Sequence, residues 1–312
     1  MTSDTLIPPR ATRAPARKAG RAPSGLRYRS PKPQPVLGTG PLPKIVAVLA
    51  LLVMTVLWLL PLAWALVTSF KTETDAATSG DGWIPKHGFT LDAYQKILDQ
   101  GNLPLWALNS LIVTVCVTAI TVVISAMAAY GFSRTVFRGR KVLLAVVLAS
   151  IMVPPQILIV PLFRQMVIAH LTDTYAAVIL PQVVAPAMVY ILKKFFDGIP
   201  KELEEAARID GAGSFRVFWS IILPLSRPIL AAVAIFVFIT TWNNFLWPFI
   251  STSDPNLMTL PIGLSTVKDS YGLQYAQSAA AALLAAVPLI VVFMVFQRQI
   301  VKSVATTGLG GQ

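Results

Sequence analysis

Residues 205–224 read EAARIDGAGSFRVFWSIILP, and they stand between strongly apolar stretches in a chain that is 55% hydrophobic and only 13% charged. Four charged side chains, two glycines and a terminal Leu-Pro mark this segment as something other than a continuation of its neighbours. Starting a few residues earlier, Pro200 suits a first helical position, and Glu202, Glu204 and Glu205 sit where the helix dipole favours negative charge. Gly211 supplies a left-handed stop. The pattern predicts a helix of about ten residues, with Ile199, Leu203, Ala206 and Ala207 along one side and a Glu204–Arg208 pair four residues apart on another. Ser214 is then placed to cap a second helix, Phe215 to Leu223, ended by Pro224. Small alanines occupy a face where a membrane anchor would carry bulky apolar groups, so the helix-turn-helix reads either as a protein-contact element or as an amphipathic loop resting on the membrane.

The surrounding stretches fix the fold class. A bilayer core about 30 Å thick needs roughly twenty apolar residues per helical span, and such runs recur at about 45–68, 108–133, 142–163, 174–195, 228–250 and 279–300. They are continuous rather than alternating, which predicts helices and excludes a lipid-facing barrel. The expectation is an all-α membrane protein with six transmembrane helices. Of the 26 Lys and Arg residues, 21 fall in the N-terminal tail, Arg134 to Lys141, Lys193 to Arg227, and Arg298 with Lys302. Only Lys71, Lys86, Lys96, Arg164 and Lys268 fall in the alternate segments, so both termini are predicted cytoplasmic. The +12 net charge is thereby an orientation signal. Nucleic acid is not an expected partner, because no basic run is interleaved with the aromatics that stacking uses.

Residues 1–43, rich in Pro, Arg, Ala and Gly, are expected to be a disordered basic cytoplasmic tail, with contact to membrane lipid as its sharper role. Residues 44–304 form the expected six-helix domain, and 305–312 a second cytoplasmic tail. The outer loop 69–107 carries Trp83, Tyr94 and Trp106 and is expected to fold at the interface. The short loop RTVFRGRK (134–141) predicts spans two and three as a tight antiparallel pair. Pro154, Pro155, Pro181 and Pro186 predict kinks in spans three and four. Ser278, Ala282 and Ala286 give span six a smooth face suited to packing in the bundle.

Other chemistries lack their residues. Cys116 is the single cysteine, so no disulfide framework or cysteine metal site is available, and His87 and His170 lie in separate loops. Gly20 and Gly25 have P-loop spacing, but Leu26 and Arg27 follow where Lys and Ser or Thr are required. An ion-coupled transporter would place an ionisable residue deep in a span, and none of the six has one at its centre. A membrane enzyme needs convergent acid, base, nucleophile or metal groups; the carboxylates here lie in loops without such spacing.

The spacing Glu205-Ala206-Ala207, three residues, Gly211, nine residues, Ile221, one residue, Leu223-Pro224 resembles, without a mismatch, the EAA motif of permease subunits in bacterial ATP-binding-cassette importers. The likeness extends over roughly residues 58–304. PLAWALVTSFK, LNSLIVTV, AAYGFSRTVFRGRK, MVPPQILIVPLF, TTWNNFLWP and FQRQIVKS are all similar to carbohydrate-type permeases, of which the maltose importer's second membrane subunit is an example. The basic tail is longer than usual in that family, and VATTGLGGQ departs from its usual terminus.

The resemblance implies the type I importer permease fold, with a cytoplasmic EAA coupling helix whose contacts to an ATPase are Glu205, Ala206, Ala207, Asp210 and Gly211. It implies a second permease subunit as heterodimer partner, two ATPase subunits that bring ATP and magnesium, and an extracytoplasmic solute-binding protein. This chain would itself hold no cofactor or metal and catalyse nothing. The solute class implied is a sugar, oligosaccharide, polyol or glycerol-phosphate compound. Hydrogen-bonding amides and flat aromatic faces suit sugar rings, and intramembrane polar groups often mark pathways. The pathway candidates are therefore Gln156, Gln182, Tyr190, Trp242, Asn243 and Asn244, each of which could equally serve interhelical packing. By the same resemblance, the loop Ser251 to Gln277 reaches for the binding protein.

Overall fold

The computed structural model describes residues 41–78, 82–266 and 274–309. Every regular element among them is helical: α1 (Pro41–Ser69), α2 (Glu73–Thr78), α3 (Asp92–Gln100), α4 (Leu103–Arg134), α5 (Arg140–Ile151), α6 (Ile159–Ile168), α7 (Tyr175–Ile179), α8 (Pro186–Asp197), α9 (Glu202–Ile209), α10 (Ser214–Val217), α11 (Leu223–Leu225), α12 (Arg227–Trp242), α13 (Leu246–Ser251), α14 (Leu260–Thr266) and α15 (Tyr275–Leu309). The chain divides into two units at Trp58. In the first, α1 begins at Pro41 and shows its apolar side chains outward, Leu49, Leu52 and Trp58 among them. Residues 41–43, expected in the N-terminal tail, are already helical, and 1–40 lie outside the described residues. At the other end, α15 runs to Leu309, so most of the expected C-terminal tail is helix; residues 310–312 are not described.

Three helices are long and apolar enough to cross a membrane unbroken, Pro41–Ser69, Leu103–Arg134 and Tyr275–Gln297. Three bent pairs supply the rest: Arg140–Ile151 with Pro155–Ile168 at 96°, Tyr175–Gln182 with Pro186–Asp197 at 46°, and Ser214–Leu225 with Arg227–Trp242 at 79°. The six expected spans are thus accounted for by three unbroken helices and three bent pairs, and the first two bends fall at the predicted prolines. The helix read at 228–250 is interrupted: it stops at Trp242 and resumes at Leu246 after Asn243 to Phe245.

Small and hydroxylated side chains on α4, including Ser125, Ala126 and Ala129, are buried and let α8 and α12 approach closely. Val117, Leu192, Phe196, Ile222 and Val233 fill this core toward the α9 end. A second core joins Ile97, Trp106, Trp242, Leu260, Ala276 and Ala280 at the opposite end. Spans two and three are not the tight antiparallel pair expected from their short loop. α5 packs against α8 instead, because Thr135 leaves α4 in extended geometry and Gly139 enters α5 with φ 84°. In α15 Ala276 and Ala280 are buried, while of the expected smooth face Ser278 and Ala282 are exposed and Ala286 is half-buried.

The outer segment 69–107 does fold, as α2 and α3. Tyr94 donates to the Ser69 hydroxyl at 2.8 Å, and Lys71, almost fully buried, lies 4.7 Å from the Trp64 ring centroid. Trp106 belongs to α4 and not to the loop. The carboxylate of Glu73 accepts from Ala276 N at 3.1 Å and Gln277 N at 2.8 Å, a negative charge at the first turn of α15, where the dipole favours it. At the same end, the loop after α13 is held by Asn109, which donates to the carbonyls of Asn256 and Met258 at 2.8 and 2.9 Å and accepts from Tyr175 at 2.6 Å.

Candidate functional site

Two regions carry the residues singled out by sequence. The first is the α9 element. Lys201 stands at its N-cap and the helix runs eight residues, Glu202–Ile209, so Pro200 precedes the helix rather than opening it. The C-terminus closes as a full Schellman motif: Gly211 N donates to Arg208 O at 3.0 Å and Ala212 N to Ala207 O at 2.9 Å, with Gly211 at φ 82° as the left-handed residue that motif uses. Glu205, Ala206, Asp210 and Gly211 are exposed, and Ala207 is half-buried against the α4/α8/α12 core. Ile209, at 87% exposure, and Phe215, at 71%, add apolar surface beside them. Leu203 is also exposed, so the side expected to run from Ile199 through Ala207 is only partly covered by the protein.

Glu204 corrects another expectation. Its carboxylate does not pair along the helix with Arg208 but turns inward to Arg134 Nε at 2.9 Å, with the two side chains 7% and 3% exposed. Arg134 Nη2 also donates to the carbonyls of Phe196 and Ile199, the latter at 2.6 Å. A buried partner at the end of α4 prevails over a solvent-exposed pair worth only about 0.3–0.5 kcal/mol. Nearby, Ser133 Oγ donates to Asp197 Oδ1 at 2.7 Å, and Lys193 pairs with Asp197 Oδ2 at 2.6 Å. Tyr130 donates to Ser214 O at 3.2 Å.

The helix after the turn also differs in detail. Gly213 is its N-cap, without a side-chain hydrogen bond, and Ser214 is the first helical residue. Pro224 does not end it: a π turn spans Phe218–Ile222 and the helix continues through Leu225. Proline cannot donate to the carbonyl four residues back and clashes with it. The wider turn upstream does not ask residue 224 to donate to residue 220, so the chain passes the proline and bends at Ser226 instead.

The second region is a cavity of about 390 Å³ at the breaks in spans three, four and five, lined by Gln156, Gln182 and Asn244 together with apolar groups such as Leu162, Met188 and Phe236. The breaks explain its polar wiring. Pro181 has no N–H for Ala177 O, and Trp247 Nε1 donates there at 3.1 Å instead. Thr121 Oγ1 donates to Val183 O at 3.2 Å. Gln182 Nε2 returns to Val178 O at 2.8 Å, while its Oε1 accepts from Asn244 Nδ2 at 2.7 Å. Irregular backbone at membrane depth is tolerated only when protein or a water-filled cavity satisfies it, and here side chains take the freed carbonyls. No ionisable side chain is among the described residues that line the cavity.

Tyr190, Trp242 and Asn243 lie outside this lining. Tyr190 stands under Lys194, whose Nζ is 5.7 Å from its ring centroid. Trp242 is buried, with Nε1 bonded to Ala285 O at 3.1 Å and its ring stacked on Phe238 at 6.0 Å. Asn243 donates back to Ile239 O at 2.9 Å. Arg134 and Trp247 were not singled out as site residues by sequence. Arg134 closes the apolar run of span two, whereas Trp247 stands among apolar neighbours with nothing in the sequence to set it apart.

Among the described residues no three His, Cys, Asp or Glu side chains gather as a metal site. His87 instead meets Asp75, through Nδ1 to Oδ1 at 2.8 Å and through its backbone N to Oδ2 at 2.9 Å. The Asp75 carboxyl is held below the ordinary carboxylate range, first by that backbone N–H and further by the imidazole.

Residues 121–306 match the family model described as binding-protein-dependent transport system inner membrane component. A relative 36% identical over 253 residues, covering 80% of this chain and 91% of its own, is the arabinooligosaccharides transport system permease protein AraQ of Halalkalibacterium halodurans. Another, the trehalose/maltose transport system permease protein MalG of Thermococcus litoralis, is 32% identical over 276 residues, covering 87% and 98%. The diacetylchitobiose uptake system permease protein NgcG of Streptomyces coelicolor is 36% identical over 259 residues, covering 82% and 85%. Among solved structures, a chain of a bacterial ABC transporter involved in the import of the acidic polysaccharide alginate superposes with a TM-score of 0.71 at 21% identity, over 82% of this chain and 95% of that one; at that identity the likeness is one of fold.

Proposed function

Since this chain belongs to the family of binding-protein-dependent transport system inner membrane components, a multi-pass, non-catalytic permease subunit of an ABC importer, we propose that its solute is a neutral sugar or oligosaccharide. The observation that carries this reading is the cavity at the helix breaks. Its polar groups are amides and hydroxyls, and among the described residues that line it none is charged to offset the desolvation of an ionic solute. A sugar ring, with many hydroxyls and an apolar C–H face, matches amides set among Leu162, Met188 and Phe236. The names of the relatives point the same way.

In this reading the chain supplies half of the pathway and a second permease subunit the other half. Two ATPase subunits, holding ATP and magnesium, meet α9 through Glu205, Ala206, Ala207, Asp210 and Gly211 from the cytoplasm. Both termini lie on that side, following the distribution of Lys and Arg, and the basic tail meets anionic lipid there. A solute-binding protein approaches the opposite face, where Asn109 and Ser110 fasten the loop after α13. Closure of the ATPases moves α9, and the bent spans reorient about the cavity in alternating access.

The test is to purify the chain with its partner permease, ATPases and binding protein, reconstitute the complex in nanodiscs, and screen solutes for stimulated ATP hydrolysis. Neutral mono- and oligosaccharides should stimulate. Stimulation confined to amino acids, peptides or phosphate esters would overturn the sugar reading.

A further inference from the structure

The buried Arg134–Glu204 pair does something that neither the pathway nor an exposed contact surface requires. Arg134 is the last residue of α4 and Glu204 lies in the first turn of α9. One guanidinium therefore touches three elements at once: it ends α4, it takes the carboxylate of α9, and it caps the carbonyls of Phe196 and Ile199 at the end of α8. Each charge sits in a favourable field, the cation at the C-termini of α4 and α8 and the anion at the N-terminus of α9. A planar, multi-donor guanidinium can hold all three directions together, which an ammonium point charge does not. Tyr130, one turn earlier on α4, ties the following helix through Ser214 O. Adjacent carboxylates on α9 thus face opposite ways: Glu204 is buried against the spans and Glu205 is exposed.

We propose that Arg134 and Glu204 are positioning residues that pass displacement of α9 to spans two and four, so that a partner pressing on the exposed face of α9 moves span four, which lines the cavity through Pro181, Gln182 and Met188, together with span two packed against it. This rests on the reading of α9 as the ATPase contact. Burying an ion pair is weak evidence for stability, because well-packed apolar replacements of both partners are often neutral or stabilising, whereas removal of one partner is costly. That asymmetry separates a strut from a staple.

The experiment uses the whole importer, with partner permease, ATPases and binding protein, in nanodiscs. Three forms are compared with the parent: Arg134→Met, the double variant Arg134→Met/Glu204→Met, and Glu205→Lys on the exposed face. Readouts are the thermal midpoint of the assembled complex and the ratio of binding-protein-stimulated to basal ATP hydrolysis. Arg134→Met, which strands a buried carboxylate, should lower the midpoint. The double variant should recover that midpoint yet lose about tenfold in the ratio, within the range that coupling mutations reach. A double variant with both midpoint and ratio at parental values would overturn the strut. So would a ratio that rises and falls with the midpoint across the series. If Glu205→Lys leaves assembly and ratio untouched, α9 is not the contact, and the strut falls with that reading. If Glu205→Lys breaks assembly while the double variant keeps its ratio, the strut alone is refuted.

Discussion

Replacing Gly211 separates backbone geometry from available space. The residue sits at φ 82° and no atom lies within 4 Å of where a Cβ would be built, so crowding within this chain contributes nothing. What remains is conformational: an L-residue in the left-handed region costs about 1–2 kcal/mol. With about 1.4 kcal/mol per factor of ten, Gly211→Ala should lower the population of the closed Schellman terminus by roughly five- to thirtyfold. Asn tolerates this region better than Ala, while β-branched Val is worse still. The expected order is Gly, Asn, Ala, Val, in two measurements: hydrogen-exchange protection of the Gly211 and Ala212 amides that close the motif, and stimulated ATP hydrolysis by the reconstituted complex. A Val variant with parental protection and parental hydrolysis would refute the argument. So would an Asn variant as damaged as Val, because the requirement would then be for empty space facing a partner.

Three further outcomes follow from geometry. A Cβ on Gly263 would lie 2.0 Å from Trp106 Cδ2, and Trp106 is buried in the outer core; Gly263→Ala should cost about 1–3 kcal/mol or more, seen as a lowered thermal midpoint together with shifted tryptophan fluorescence. The lowered Asp75 pKa stabilises the fold fully above the ordinary carboxylate range, and that contribution is lost as pH falls through the folded-state value; Asp75→Asn should flatten this acid dependence in thermal unfolding scans, and an unchanged slope would remove the His87 contact from the account. Asn244→Leu removes the 2.7 Å bond to Gln182 and should reduce solute uptake without altering the affinity of the isolated binding protein, whereas uptake at the parental level would take Asn244 out of the pathway.

The six spans and the α9 turn were legible because their signals are local. Apolar length marks a span within its own twenty residues, and the glycine that ends α9 needs only its own φ. What escaped the sequence was set by partners far along the chain. Glu204 reads as one half of an i,i+4 pair until Arg134, seventy positions earlier, is brought against it by the packing of α4 on α8. Trp242 looks like an aromatic platform for a sugar, yet its indole N–H is taken by Ala285 O. The break at Asn243 to Phe245 carries no proline or glycine to announce it. Pro224 announces an end that the π turn before it avoids.

The prolines that bend the spans also limit what the cavity can recognise. Each break frees backbone carbonyls, and side chains must satisfy them: Trp247 serves Ala177 O, Thr121 serves Val183 O, and Gln182 spends its N–H on Val178 O. Gln182 Oε1 is engaged by Asn244, and Thr240 Oγ1 donates back into its own helix. Of the three lining amides, Gln156 is the one whose side chain makes no hydrogen bond among the described residues. A wall whose polar groups are largely committed to its own backbone discriminates poorly between related solutes, since strong rejection of an analogue requires buried donors or acceptors that only the right solute can satisfy. On the proposed reading, selectivity among sugars then comes mainly from outside this chain, from the proposed second permease subunit and from whatever delivers the solute. Little of it can be engineered here except through Gln156.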